Sequence, residues 1–413
     1  RRRHIFSGSE QFTLYDFYAG HSVNENVFAY SNRNDGERGL ILFHNAFAST
    51  AGWIRTSCAV LRKNASGGTS LAQTTLGDAL SFKRDGRHYY SFRDYASGLC
   101  YLRNGRDLCD RGLYVEMGAY EYHAFLDFTE IYDDDFGTWG ALCYRLNGAG
   151  IENLEEEVKK VRYGALHESF RLFLSKAAMV LQEPGAAPQA RIAPLEPLLA
   201  SFYKALAPDA TEKGQRALLG VFGSEFLQAL ETVGEGELLP AEWLLLCAFL
   251  ALHRAGSVRE IESVSLFEEF GLLHPLVQVL QTLPPADPEQ VVDLPPRAFG
   301  KLLGLLLRHE DYLANCRAIG VTRCSAALFS DPAAARFMFL HESGGAQWFN
   351  KERFELLVDW LAQVEPYAEV AAQAKAGKGQ ELSGKAVATL MKESAAAAGY
   401  RLDQLMNVLQ TGF

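Results

Sequence analysis

The segment Asn26-Val27-Phe28-Ala29-Tyr30-Ser31-Asn32, the polar bridge Arg33-Asn34-Asp35-Gly36-Glu37-Arg38, and Gly39-Leu40-Ile41-Leu42-Phe43-His44-Asn45 decide how the first part of this chain folds. Both flanks are rich in β-branched and aromatic residues, which suit a pleated, half-buried surface. Asn34-Asp35-Gly36 supplies residues that tolerate positive φ, so the segment predicts an antiparallel hairpin. Working outward, Trp53–Val60, Arg87–Arg93, Gly112–Met117 and Tyr120–Ile131 are runs of the same kind, with a tight connection at Met117-Gly118-Ala119-Tyr120. Six or so short strands separated by turn signals predict an antiparallel β-sandwich over residues 1–146. Ser70–Leu80 and Ser97–Asp110 read as excursions from it, the second as a helix.

Composition changes near residue 145. Of the 48 aromatic residues, 25 fall within the first 145 positions, while all 14 prolines lie at or after Pro184. Beyond residue 150 the apolar period becomes 3.6: Ile151, Leu154, Val158 and Val161 share one face, and Glu155, Glu156, Lys159 and Lys160 the other, the pattern of a surface helix. A Pro/Ala-rich connection at 183–197 and the helical stretches after it predict an all-α helical domain over 151–413, in which no strand is expected. Pro366 ends or kinks the helix that carries Trp360. No fixed repeat period runs through these helices. The predicted whole is a multidomain chain, a sandwich followed by helices.

The 413 residues carry 40 Lys+Arg against 50 Asp+Glu, a net charge of −10, which disfavours nucleic acid and anionic membranes as partners. The longest apolar run, Trp243–Leu252, is about half of what a bilayer crossing needs, so a soluble chain is expected. Seven scattered cysteines, Cys58, Cys100, Cys109, Cys143, Cys247, Cys316 and Cys324, fit reduced thiols and a cytoplasmic location. Because it opens on Arg1-Arg2-Arg3-His4, the chain is expected to be a section of something longer, with the chemistry in the other part. Asn64-Ala65-Ser66 satisfies the glycosylation triplet but carries no weight without a secretory context.

Metal and nucleophile patterns are missing. Cys100 with Cys109 and Cys316 with Cys324 have no second ligand pair, and His167-Glu168 and His309-Glu310 lack the second His four positions on, so inert thiols and no cofactor are expected. Neither a Gly-x-Ser-x-Gly elbow nor a phosphate-cradling loop occurs. Asp133-Asp134-Asp135 could hold calcium, but a capping turn ahead of the segment with Trp139, Leu142 and Leu146 is favoured. Trp348, Phe349, Phe354 and Trp360 read as a packed helix face. The rings of Trp53, Trp139, Tyr89, Tyr90 and Tyr95 are candidates for stacking on sugar faces, with core packing as the competing role.

The stretch Arg3-His4-Ile5-Phe6 to Phe12-Thr13-Leu14-Tyr15-Asp16-Phe17, then Asn24 to Arg33 and Gly39 to Asn45, resembles the region just after the catalytic barrel in the α-amylase superfamily of glycoside hydrolases. There an acid-flanked strand precedes a hairpin whose second strand ends in Asn, as Leu40 to Asn45 does here; Gly118 to Leu126 looks like the family's last strand. The resemblance covers about a third of the chain. It implies a β-domain that packs against a (β/α)8 barrel, with all catalytic carboxylates in that barrel. The expected function is thus a non-catalytic C-terminal section of an α-amylase-like protein, its partner the catalytic barrel of the same parent, its helices an interaction platform. Two alternatives stand beside it: a module binding an α-glucan, and a protein-interaction scaffold unconnected with sugars.

Overall fold

A computed structural model describes residues 3–6, 8–34, 36–63, 68–180, 187–233, 238–284, 294–367 and 383–411. Asp35 of the expected turn, the triplet at 64–66, Pro184 with the start of the Pro/Ala-rich connection, and the chain beyond 367 in the helix expected from 351 lie outside these residues. The chain divides into two units, Arg1–Arg162 and Tyr163–Phe413.

The first unit is β-rich. Its strands are β1 (Thr13–Ala19), β2 (Ser22–Val23), β3 (Val27–Asn34), β4 (Glu37–His44), β5 (Thr50–Ser57), β6 (Val60–Lys63), β7 (Thr69–Ala72), β8 (His88–Asp94), β9 (Cys100–Asn104), β10 (Leu113–Met117) and β11 (Tyr122–Tyr132). The hairpin forms as β3–β4, in register from Val27↔His44 to Asn34↔Glu37. Its strands run two residues further into the polar bridge than the propensities suggest, and Gly36, at φ 84°, takes the left-handed conformation just ahead of β4. Pairing continues along one antiparallel path, β10-β5-β1-β3-β4-β11-β8-β9, with β2 on β1 and a separate β6–β7 ribbon. Strand β1 carries Asp16 between Tyr15 and Phe17, which both point inward and are buried.

The residues expected as a sandwich therefore lie on one large sheet that curls. Phe17, Leu42 and Ile54 of its middle share a core with Phe92 and Phe125 towards one end and Val115 at the other. The short helices α1 (Leu76–Ala79) and α2 (Gly105–Asp110) close over this core through Leu76 and Leu108. Two more helices, α3 (Thr138–Leu146) and α4 (Leu154–Arg162), form a small cluster of their own with Tyr89 and Leu102, through Leu142 and Val158. The helix at 154–162 thus belongs with the sheet, and the division falls at Arg162/Tyr163, not at the change of period. The outer face of the sheet is apolar as well: in the register Leu14↔Tyr30, Phe28↔Phe43, Tyr122↔Phe43, Leu14, Phe28, Phe43 and Tyr122 are 49, 53, 38 and 54% exposed.

The second unit is helical around one apolar core. Pro240–Leu252 is buried from Trp243 to Leu252, which explains a run with no polar face. Helix Lys351–Val364 stops before Pro366. The expectation of no strand is corrected: His341–Ser343 and Ala346–Trp348 pair as a short hairpin, made possible by Gly344 and Gly345 at φ 60° and 75°. Trp348 is consequently on a strand, while Phe349, Phe354 and Trp360 join the helical core. Among the polar groups buried between these helices, His253 Nε2 lies 2.7 Å from Glu225 Oε2, and Arg254 Nε donates to Glu225 Oε1 at 3.2 Å. Among the described residues no helix is long and apolar enough to cross a membrane.

Candidate functional site

A sheet that curls without closing leaves a gap between its edge strands. Here the edges are β9 and β10, and the chain crosses from one to the other through α2. Asn104 starts α2 by accepting the Arg106 amide. Gly112 then turns the chain into β10 at φ 84°, where an added Cβ would come 2.1 Å from the Ile54 carbonyl oxygen. Only glycine allows so close an approach with that backbone. Between the edges lies a cavity of about 700 Å³.

Its apolar lining includes Phe92, Tyr101 and Phe125; the Phe92 and Tyr101 rings are stacked at 5.8 Å. The β5–β10 register places Tyr114 opposite Trp53, with ring centroids 5.3 Å apart and tilted by 58°. Arg111, one residue before the Gly112 turn, holds its Cζ 5.0 Å from the Trp53 ring, within reach of a cation–π contact. On β9, Arg103 donates from Nη1 to the Leu102 carbonyl (3.0 Å) and from Nη2 to the Gly148 carbonyl (2.7 Å). Left-handed Asn147 and Gly148, at φ 43° and 88°, end α3 and bring the 147–150 loop there. Burial lowers the Arg103 pKa from its ordinary value, since desolvation penalises the charged form. Among the described residues neither Arg103 nor Arg111 has a carboxylate partner.

His123 completes the lining. Its Nδ1 donates to Asp94 Oδ2 at 2.9 Å, and Nε2 lies 3.4 Å from the Glu116 carbonyl oxygen. The Asp94 carboxylate is fully buried, yet it accepts from the Ala96, Ser97 and Ala124 amides (3.0, 3.2 and 3.0 Å) and the Ser97 hydroxyl (2.7 Å). Burial alone would push the Asp94 carboxyl up; hydrogen bonds from His123, Ser97 and the Ala124 and Ala96 amides outweigh it and hold the pKa below the ordinary value. An ionised Asp94 fixes the Nδ1–H form of the imidazole, and the ring is stacked on Phe125 at 5.3 Å. The lining also includes Asp107 and Glu116, both exposed. Aromatic walls with a few fixed polar groups are the make-up of a small-molecule site.

Of the five rings singled out from sequence, only Trp53 lines this cavity. Trp139 and Tyr89 pack together in the small cluster beneath α3 and α4. Tyr90 is sealed in the main core, its hydroxyl donating to Glu130 Oε2 (3.0 Å) and accepting the Lys83 amide (2.9 Å). Tyr95 is half-exposed and donates to Asp127 Oδ2 at 2.6 Å. Sequence reasoning missed Tyr101, Arg103, Arg111, Tyr114 and His123. A local signal existed only for Tyr114, which alternates with the buried residues of β10; the others meet through strand pairing.

The acidic run is a helix cap: Asp133 accepts the Trp139 and Gly140 amides (2.8 and 3.0 Å), and Asp134 the Thr138 amide (2.9 Å). All seven cysteines are unpaired thiols. Among the described residues no three or more His, Cys, Asp or Glu side chains are grouped to hold a metal ion. Comparisons with models of protein families, with curated proteins and with solved structures give no match.

Proposed function

We propose that residues 1–162 form a non-catalytic carbohydrate-binding section of an α-amylase-like glycoside hydrolase, a sandwich-like domain whose two layers are the ends of one curled sheet. The cleft between β9 and β10 would hold an α-glucan. One observation carries this reading: Trp53, Tyr114 and Arg111 meet at a cavity of about 700 Å³ that also has fixed polar groups. Sugar C–H faces pack on ring planes, while hydroxyls need oriented donors and acceptors.

Calorimetric titration of the full chain with maltoheptaose tests it. Trp53→Ala should weaken binding about thirtyfold, the ~2 kcal/mol typical of a central aromatic contact, with thermal melting reporting that the fold is intact. No heat of binding, or equal binding by Trp53→Ala, would reject the reading. Hydrolysis of the sugar by this chain would reject its non-catalytic part.

The exposed apolar row Leu14, Phe28, Phe43 and Tyr122 favours a second role for the same domain, docking on the catalytic barrel of its parent protein, because large contiguous apolar surface is characteristic of interaction sites. The helical unit would serve as an interaction platform. A scaffold with no link to sugars is the outcome left if the cleft binds none.

A further inference from the structure

We infer that the ligand of the cleft is an anionic sugar, one bearing a phosphate ester or a carboxylate, gripped at its charged group by Arg103 and Arg111. This rests on the carbohydrate reading and narrows it. A guanidinium withdrawn from water is costly unless a counter-charge compensates it. Arg103 is partly buried, and its recorded partners are the carbonyl oxygens of Leu102 and Gly148 and the face of the Tyr101 ring, 5.4 Å from its Cζ. Those carbonyls take two of its five N–H donors and neutralise nothing, leaving three donors on a side chain that lines the cavity.

Arg111 lines the same cavity over the Trp53 ring, and it too lacks a carboxylate partner among the described residues. The other charges there do not cancel this pair. Asp94 is turned onto His123, and Asp107 and Glu116, exposed as Arg111 is, are not in an ion pair with either guanidinium. A planar fork of donors matches the oxygens of phosphate or carboxylate. Trp53 and Tyr114 would take the ring to which that group is attached. The competing role for Arg103 is a brace that ties β9 to the 147–150 loop through Gly148; it predicts lost stability without any preference for charge.

The test is calorimetric titration of the full chain with glucose, glucose 6-phosphate, glucuronate and orthophosphate. The two charged sugars should bind about tenfold or more tightly than glucose, and this advantage should shrink between about 0.05 and 0.5 M salt. It should disappear in Arg103→Gln and Arg111→Gln. Should Arg103→Gln fail to fold, exposed Arg111→Gln decides the matter, with exposed Leu61→Ala, on the β6–β7 ribbon and outside the lining, as the unaltered control. Equal binding of glucose and its charged relatives would overturn the inference and leave the carbohydrate reading standing. Binding of orthophosphate without any sugar, or of none of the four, would overturn the inference; the carbohydrate reading falls with it only if maltoheptaose also fails to bind.

Discussion

Replacing Asp94 by Ala removes the acceptor on which one side of the cleft is built. The carboxylate has no exposed surface and takes three amides, the Ser97 hydroxyl and His123 at 2.7 to 3.2 Å. Water cannot replace it at all of those donors, and an unsatisfied buried donor costs about 1–3 kcal/mol. Breaking a buried imidazole–carboxylate pair costs about 3–5 kcal/mol, which we take as the total because the donors act as one network. For a unit of 162 residues, at roughly 2–4 °C per kcal/mol, the melting temperature of the first unit should fall by about 6–20 °C. Scanning calorimetry of the full chain measures this, and loss of hydrogen-exchange protection at the Ala124 amide assigns the transition. A fall of less than about 3 °C would refute the view that Asp94 holds β8 and β11 together. The pH dependence has a definite sign: a carboxyl whose folded pKa is depressed stabilises above its unfolded pKa, and that contribution is lost as pH falls through the folded value. Asp94→Asn, which keeps the shape without the charge, should flatten the acid limb.

Gly112→Ala should destabilise the first unit by ~2 kcal/mol or more, because φ is 84° and the new Cβ would meet the Ile54 carbonyl oxygen at 2.1 Å; an unchanged urea midpoint would contradict this. Phe170 is fully buried with its ring 4.7 Å from that of Phe202, so Phe170→Ala should cost the helical unit about 3–5 kcal/mol, read from urea unfolding followed by tryptophan fluorescence. Burial would raise the Asp134 carboxyl, but the Thr138 amide and hydroxyl and Arg162 hold it down at about 2. Its support of α3 should therefore be present at neutral pH and disappear as the medium is acidified from about pH 4 to about pH 2. Exchange protection within 138–146 reports it, and Asp134→Asn should lose the dependence.

The β3–β4 hairpin, the strands β5, β8, β10 and β11 and the helical second half were legible because their signals are local: a turn sequence, β-branched and aromatic runs, and a 3.6-residue period; β7 and the edge strand β9 were not, since they fall in stretches read as excursions from the β-domain. The Asp133–Asp134 cap was legible for the same reason. Where the signal was mixed, the reading failed. Asp16 breaks the aromatic and β-branched pattern of β1, so only the family resemblance implied a strand there, although Tyr15 and Phe17 anchor it in the core. Two adjacent glycines in a helical context hid the hairpin around Gly344 and Gly345. Helix α4 has a clear helical period, yet that period says nothing about which core it serves, and Val158 packs with Leu102 of the sheet.

The sequence by itself determined the two structural classes, their order along the chain and most of the residues that turn inward, since each depends on neighbours a few positions away. Tertiary structure alone decided the cleft. Trp53 and Tyr114 are 61 positions apart and meet because β10 pairs with β5; His123 reaches Asp94 because β11 lies beside β8. Which rings become walls and which become core is fixed by where the curled sheet stops short of closing, and that depends on the pairing of distant strands, which no local pattern of side chains encodes.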